Sequence, residues 1–334
     1  MKMNKMQLFN LDHLTNIAKG FCFLASLSSL TVQAETVFVT LEKDNALAIV
    51  DPIEGKLIKT IEIGQRPRGL ALSPDNKYLY VATSDDDTVK ILDTETLLEV
   101  GQLPSGEDPE TFALNPAGDR LYVSNEDDNL VTVIDVINRK EIAQIKVGVE
   151  PEGIAVSSDN QWVISASETT NMIHWIDAAS NTIKENTLVD PRPRAANFTF
   201  DNTQLWVTSE IAGTLMVLDV NTKQIIKKIR LDIPGVSADK IQPVGVVIDN
   251  QRRWGYVAIG PANRVAVINA QTLEVEKYLL VGQRVWNLAF SPDQKRLYTT
   301  NGKSNDISII DLENHIVTKS VGVGRFPWGI ISKP

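Results

Sequence analysis

Short apolar runs, each closed by a cluster of turn-forming residues, recur along this chain from residue 36 onward. In the stretch 64–105 the runs fall at residues 69–72, 78–83, 88–92 and 99–103. Runs of this length, rich in Val, Ile, Leu, Tyr and Thr and broken by Gly, Pro, Asn and Asp, predict strands. No long helical spacing interrupts them. The whole pattern then repeats, with units opening at Gly64, Gly106, Gly148, Asp190, Lys240, Gly282 and Gly324. The openings are 42 residues apart, except for 50 between Asp190 and Lys240. Four short strands in about 40 to 45 residues make one propeller blade. The expected fold is therefore all-β, a seven-bladed propeller of four-stranded antiparallel blades.

Local chemistry supports the strand assignment. Ser73-Pro74-Asp75-Asn76 is a turn signal between the first two strands of a unit, because proline presets φ and Asp and Asn bond nearby backbone. It recurs as Asn115-Pro116-Ala117-Gly118 and Ser291-Pro292-Asp293-Gln294. Five residues after each unit opening stand Gly69, Thr111, Gly153, Ala195, Gly245, Asn287 and Gly329. Mostly small residues there mark the innermost strand, where chains converge. The unit opening at Gly324 ends at Pro334 after one strand, while residues 35–63 supply three: 36–40, 46–50 and 57–63. The last blade is expected to form from both ends of the chain, 35–63 with 324–334, which closes the ring and removes the open edge.

Residues 1–34 read as a secretory signal: Lys2, Lys5 and Lys19, an apolar stretch over 21–32, and a Val32-Gln33-Ala34 cleavage site. Residues 35–334 form the propeller domain, and the expected location is the periplasm. The only cysteine, Cys22, falls in the leader, so no disulfide is expected and the apolar core must hold the fold. Without the leader's three lysines and Asp12, 30 basic and 41 acidic residues remain, a formal charge of −11. With no basic stripe, nucleic acid and anionic lipid are poor partners. No membrane span is expected after cleavage, and a monomer is expected.

The segments Leu79-Tyr80-Val81-Ala82-Thr83, Leu121-Tyr122-Val123-Ser124-Asn125 and Leu297-Tyr298-Thr299-Thr300-Asn301 resemble the YVTN family of β-propeller repeats. Val133-Ile134-Asp135 and Ile309-Ile310-Asp311 extend the likeness. Within such proteins the exported seven-unit arrangement most resembles those associated with PQQ-dependent alcohol catabolism. That resemblance implies a periplasmic partner of quinoprotein alcohol oxidation with no catalytic motif. The chain has neither the adjacent cysteines nor the CxxCH of the PQQ enzymes themselves.

Candidate chemistry gathers in the loop before each innermost strand, where Pro67, Pro109, Pro151, Pro193, Pro243 and Pro327 recur and Val285 replaces the seventh. The residues on either side vary from unit to unit: Arg66/Arg68, Asp108/Glu110, Glu150/Glu152, Arg192/Arg194, Gln242/Val244, Arg284/Trp286 and Phe326/Trp328. In a propeller these loops face the channel mouth. The mouth should then carry basic, acidic, basic and arginine–aromatic sectors, suited to a protein loop or an amphipathic ligand. The duller reading pairs these charges around the ring, and lets Trp286 and Trp328 plug the channel.

Asp85-Asp86-Asp87 and Glu126-Asp127-Asp128 on the same face would suit Ca²⁺, although their spacing matches no EF-hand. The extra residues 232–239 overhang the mouth as a lid or an indifferent loop. Asp51, Asp93, Asp135, Asp177, Asp219 and Asp311, with Asn269, should cap turns on the opposite face. His174 and His315 lie in different units and form no metal or triad constellation. Three functions follow. The first is a non-enzymatic binding or scaffold protein, with no catalytic residue and no resident cofactor or metal. The second is a carrier of PQQ or another anion on the mouth arginines. The third is a metal-dependent lactonase-type hydrolase using Asp108, Glu110, Glu150 and Glu152.

Overall fold

The computed structural model describes residues 35–334; the expected leader and cleavage site lie outside the described residues. Seven four-stranded antiparallel sheets succeed one another along the chain. The first complete blade runs Pro67–Leu72, Tyr78–Thr83, Thr88–Asp93 and Glu99–Pro104, innermost to outermost. These strands begin and end within two residues of the apolar runs. The alternation is visible in the burial. The second and third strands are covered on both faces, whereas the outermost carries Glu99 and Gln102 into solvent.

The closing blade is built as the repeat count requires. Its innermost strand is Pro327–Lys333, which pairs with Thr36–Leu41, followed by Ala46–Asp51 and Lys56–Glu62. Val37 lies opposite Ser332 and Phe38 opposite Ile331. Thr40 fastens the joint twice: its hydroxyl accepts from the Gly329 amide at 2.8 Å and donates to the Arg68 carbonyl of the next blade at 2.8 Å.

Each innermost strand begins with proline in six blades, at the position where the missing N–H costs no ladder bond. The small-residue column packs as its composition demands. A Cβ on Gly153 would lie 2.6 Å from the Arg194 carbonyl oxygen, and one on Gly245 would lie 2.7 Å from that of Trp286. Where the column carries threonine or asparagine, the side chain bonds to that neighbouring strand instead. Thr111 donates to the Glu152 carbonyl, and Asn287 Nδ2 donates to that of Trp328 at 2.9 Å.

The core lies between successive blades rather than at the centre. Trp206, Leu215 and Val217 pack against Val257, Ile259 and Ala266 of the following blade. Gly255 leaves the room that the Trp206 indole fills. The inserted loop belongs to this same core. Ile233 and Ile241 are buried there, with Val236 packed against them, so the segment is anchored to the body by its own apolar residues. On the far face the expected turn caps appear: Asp177 Oδ1 accepts the Ser180 amide at 2.7 Å, and Asn269 Oδ1 accepts those of Gln271 and Thr272.

Candidate functional site

The residue two positions after each unit opening sits in left-handed backbone in six of the seven blades: Arg66, Asp108, Glu150, Arg192, Arg284 and Phe326. Non-glycine residues avoid this region unless something holds them there. The holder is a second left-handed residue, at the turn between the second and third strands. Asn45, Asp87, Asn129, Asn171, Asn263 and Asn305 each accept the amide of one of those six at 2.8 to 3.1 Å. In the remaining blade Gly213 takes the turn position, and the insertion follows. These pins bring the two loop sets of the mouth together and fix the direction in which each charged side chain leaves the backbone.

The same loops add a column that lies twenty residues after each unit opening. It holds Glu42, Ser84, Glu126, Glu168, Glu210, Gly260 and Gly302. The Glu168 amide donates to the Glu150 carbonyl and the Glu210 amide to that of Arg192, which ties this column to the first. Sequence reading missed Glu42, Glu168 and Glu210. Aligning the units at this offset would have found them, since four of seven positions are glutamate.

Charges at the mouth pair across blade seams. Arg66 reaches Asp108 and Glu110, each at 2.8 Å, and Arg68 reaches Glu110 at 2.9 Å. Farther round, Arg194 lies 2.5 Å from Glu152 and also contacts Glu168, while Arg192 lies 2.9 Å from Glu168 and 3.0 Å from Glu210. Glu110, Glu152, Glu168 and Glu210 are all buried, which is tolerable only because guanidinium groups meet them. Burial alone would pull Arg194 down, but Glu152, Glu168 and Glu210 hold it above its ordinary value.

Arg284 is held below its ordinary value. Burial and the nearby Arg194 and Arg192 lower it, against Glu210 at 3.7 Å. Its guanidinium stacks 4.3 Å from the Trp286 ring centroid, and Arg68 lies 5.1 Å from that of Trp328. Trp328 is only 4% exposed and so belongs to the channel wall. Trp286 is half-buried, and its indole fills the space that Gly302 leaves in the glutamate column.

Glu126 breaks the pairing pattern. The following blade presents Glu150 and Glu152 to it where the other glutamates of its column meet arginines. Oxygens of Asp108, Glu110 and Glu126 lie within 4.8 Å of one another. Burial, then the charges of Glu110, Glu152 and Asp108, push the Glu126 carboxyl up to about 7. Burial pushes Glu110 up to about 7 as well, with Arg68 opposing and Glu152 adding. Glu150 does not join them, because its carboxylate accepts from the Thr169 hydroxyl. The group that converges is therefore Asp108, Glu110 and Glu126, rather than the four carboxylates of 108–152 expected from the sequence.

In the first acidic run Asp86 accepts the Gln65 amide at 2.8 Å and Asp87 that of Asp108 at 3.0 Å, so both are spent on backbone. Both histidines are engaged elsewhere. His174 Nε2 accepts the Gly148 amide at 2.8 Å, and His315 Nε2 lies 3.0 Å from the Tyr256 hydroxyl on the far face.

Seven blades, closure by both termini and charge columns aimed at one mouth define a β-propeller repeat protein. The chain belongs to the YNCE-like beta-propeller family, whose model matches residues 15–333. No curated protein matches it closely enough to count as a relative. Among solved structures it is similar to Kuenenia stuttgartiensis hydrazine synthase (19% identity, TM-score 0.76, covering 83% of this chain and 92% of that one). A protein described as a "putative 6-phosphogluconolactonase" from Bacteroides fragilis is similarly related (17%, TM-score 0.77, covering 91% and 99%). So is a functionally unknown protein from Desulfotomaculum acetoxidans (15%, TM-score 0.76, covering 88% and 98%). At these identities the likeness is one of fold.

Proposed function

We propose that this protein is an exported, non-enzymatic binding module whose channel mouth docks a basic loop of a protein partner. The observation that carries the reading is the charge balance of the pinned columns. At offsets two, four and twenty from the unit openings stand eight carboxylates against five arginines. The excess is concentrated at Glu126, which makes no ion pair among the described residues and lies beside Asp108 and Glu110. A lysine or arginine entering that sector gains partners whose own mutual repulsion it relieves. Exposed apolar groups flank the charges on the same face: Ile211 at 68% exposure, Val149 and Phe326. Arg192 and Ile211 also border one surface pocket of about 230 Å³ with Pro191, a pairing of arginine and apolar surface that suits an interface hot spot. The family resemblance supports a periplasmic setting beside a PQQ-dependent alcohol oxidation system. The acid excess disfavours carriage of PQQ itself, a polyanion.

The test is capture from periplasmic extract by immobilised protein, comparing wild type with Ile211→Asp and Glu126→Lys. A specific partner should be retained by wild type, lost with both variants, and released by salt at a few tenths molar. A partner held equally by all three, with melting temperatures unchanged, would refute docking at the mouth. Arg194→Ala is a poor probe, because it strands Glu152 as a buried unpaired charge.

A second reading has one observation in its favour. The Asp108–Glu110–Glu126 trio offers three oxygens within 4.8 Å of one another, on a fold shared with the Bacteroides fragilis protein described above. A lactonase of this kind would bind one divalent ion per chain and hydrolyse sugar lactones. Metal analysis with a lactone assay decides it: a metal-free, inactive protein removes the reading.

A further inference from the structure

At the fourth offset six blades carry long side chains: Arg68, Glu110, Glu152, Arg194, Trp286 and Trp328. The seventh carries Val244. Beside that short side chain the channel holds a cavity of about 140 Å³, bounded by Val244, Trp286, Trp328, Arg194, Glu152 and Asn287. An engineered cavity of about 150 Å³ is large enough to take up benzene. Two indoles and Val244 supply the apolar walls, with Gly153 and Gly245 alongside.

The polar wall is selective. Arg194 Nη1 is taken by Glu152 and Glu168, whereas Nε1 of Trp328, another lining residue, is buried with no hydrogen-bond partner among the described residues. Three carboxylates already neutralise the Arg194 guanidinium, the third being Glu210 at 3.7 Å. An anion would meet that carboxylate set, and a cation would meet Arg194 with Arg284 just behind it. A neutral group that both donates and accepts satisfies the wall without burying a new charge.

We propose that the channel beneath the mouth is a binding site for an uncharged single-ring molecule bearing a primary amide or a similar donor–acceptor group. Its ring lies against Trp286, Trp328 and Val244, and its polar end meets Arg194 and Glu152. The cavity shares Arg194 and Glu152 with the mouth columns, but docking is tested at Glu126 and Ile211 and this site at Val244, so the failure of one reading is distinguishable from that of the other.

Three probes of equal size and different charge decide it: benzamide, benzoate and benzylamine, titrated calorimetrically into the full-length protein. Benzamide should bind saturably with one site per chain. The charged pair should bind about tenfold more weakly or worse. Val244→Phe should abolish benzamide binding while leaving partner capture intact, since the backbone already carries Trp286 and Trp328 at the equivalent place. Val244→Leu, a milder filling, should weaken binding about tenfold, and it carries the test should the phenylalanine variant not fold. No benzamide heat at millimolar concentration, equal binding of all three probes, or binding indifferent to both substitutions would overturn the assignment.

Discussion

Glu126 shows how one residue sets a property of the mouth. Its carboxyl titrates near 4.5 in the unfolded chain and about 7 in the folded one. Between those values the native state keeps a proton that the unfolded state has released. Stability is therefore full below about 4.5 and declines as pH rises to about 7. Glu126→Gln should remove this slope: at pH 8 the variant should exceed wild type by about 1 kcal/mol, discounted because the group is half exposed, and at pH 4 the two should match. Thermal melts at both values check it, and a variant no more stable at pH 8 contradicts the account. The residues flanking each proline were legible in the sequence because proline marks their register. Glu42, Glu168 and Glu210 were not, since acidic residues in turns resemble ordinary solvated loops. Only the contacts with arginines reveal that Glu168 and Glu210 are buried and Glu42 half-buried.

At the scale of the element, the strands were readable because each is short and apolar, and a turn with its own chemistry closes it. What the pattern could not show is how two loops join across the mouth. Asn171 accepts the Arg192 amide at 2.9 Å while sitting at φ 55°. It thus serves the backbone twice, by tolerating the left-handed region and by supplying an oxygen. Asn171→Ala should cost about 2 kcal/mol, from left-handed strain and a lost hydrogen bond. Asn171→Gly should cost less, because glycine recovers the conformation but not the bond. Chemical denaturation of both variants measures the difference; equal losses would show that the conformation matters little. The repeat spacing located the insertion at 232–239, but its anchoring stayed hidden for a related reason. Its Pro-Gly turn looks solvated, yet Ile233 and Ile241 tie it into the core between the fourth and fifth blades.

For the whole molecule the governing fact is the shared blade. Deleting residues 327–334 should strip the partner from Thr36–Leu41 and expose the apolar edge that carries Phe38. The truncated protein should lose its single cooperative melt and become protease-sensitive near residue 36; an unchanged melt would mean that the ring does not depend on this strand. Closure was legible because a strand count that falls short at one terminus and runs over at the other admits few topologies. The same joint imposes a schedule on biosynthesis. The strand made first waits for the strand made last, so an adhesive edge stays open throughout translation. The torus locks only after the ribosome has delivered its closing residues, and a chain cut short before then remains an unsealed arc prone to sticking to its neighbours.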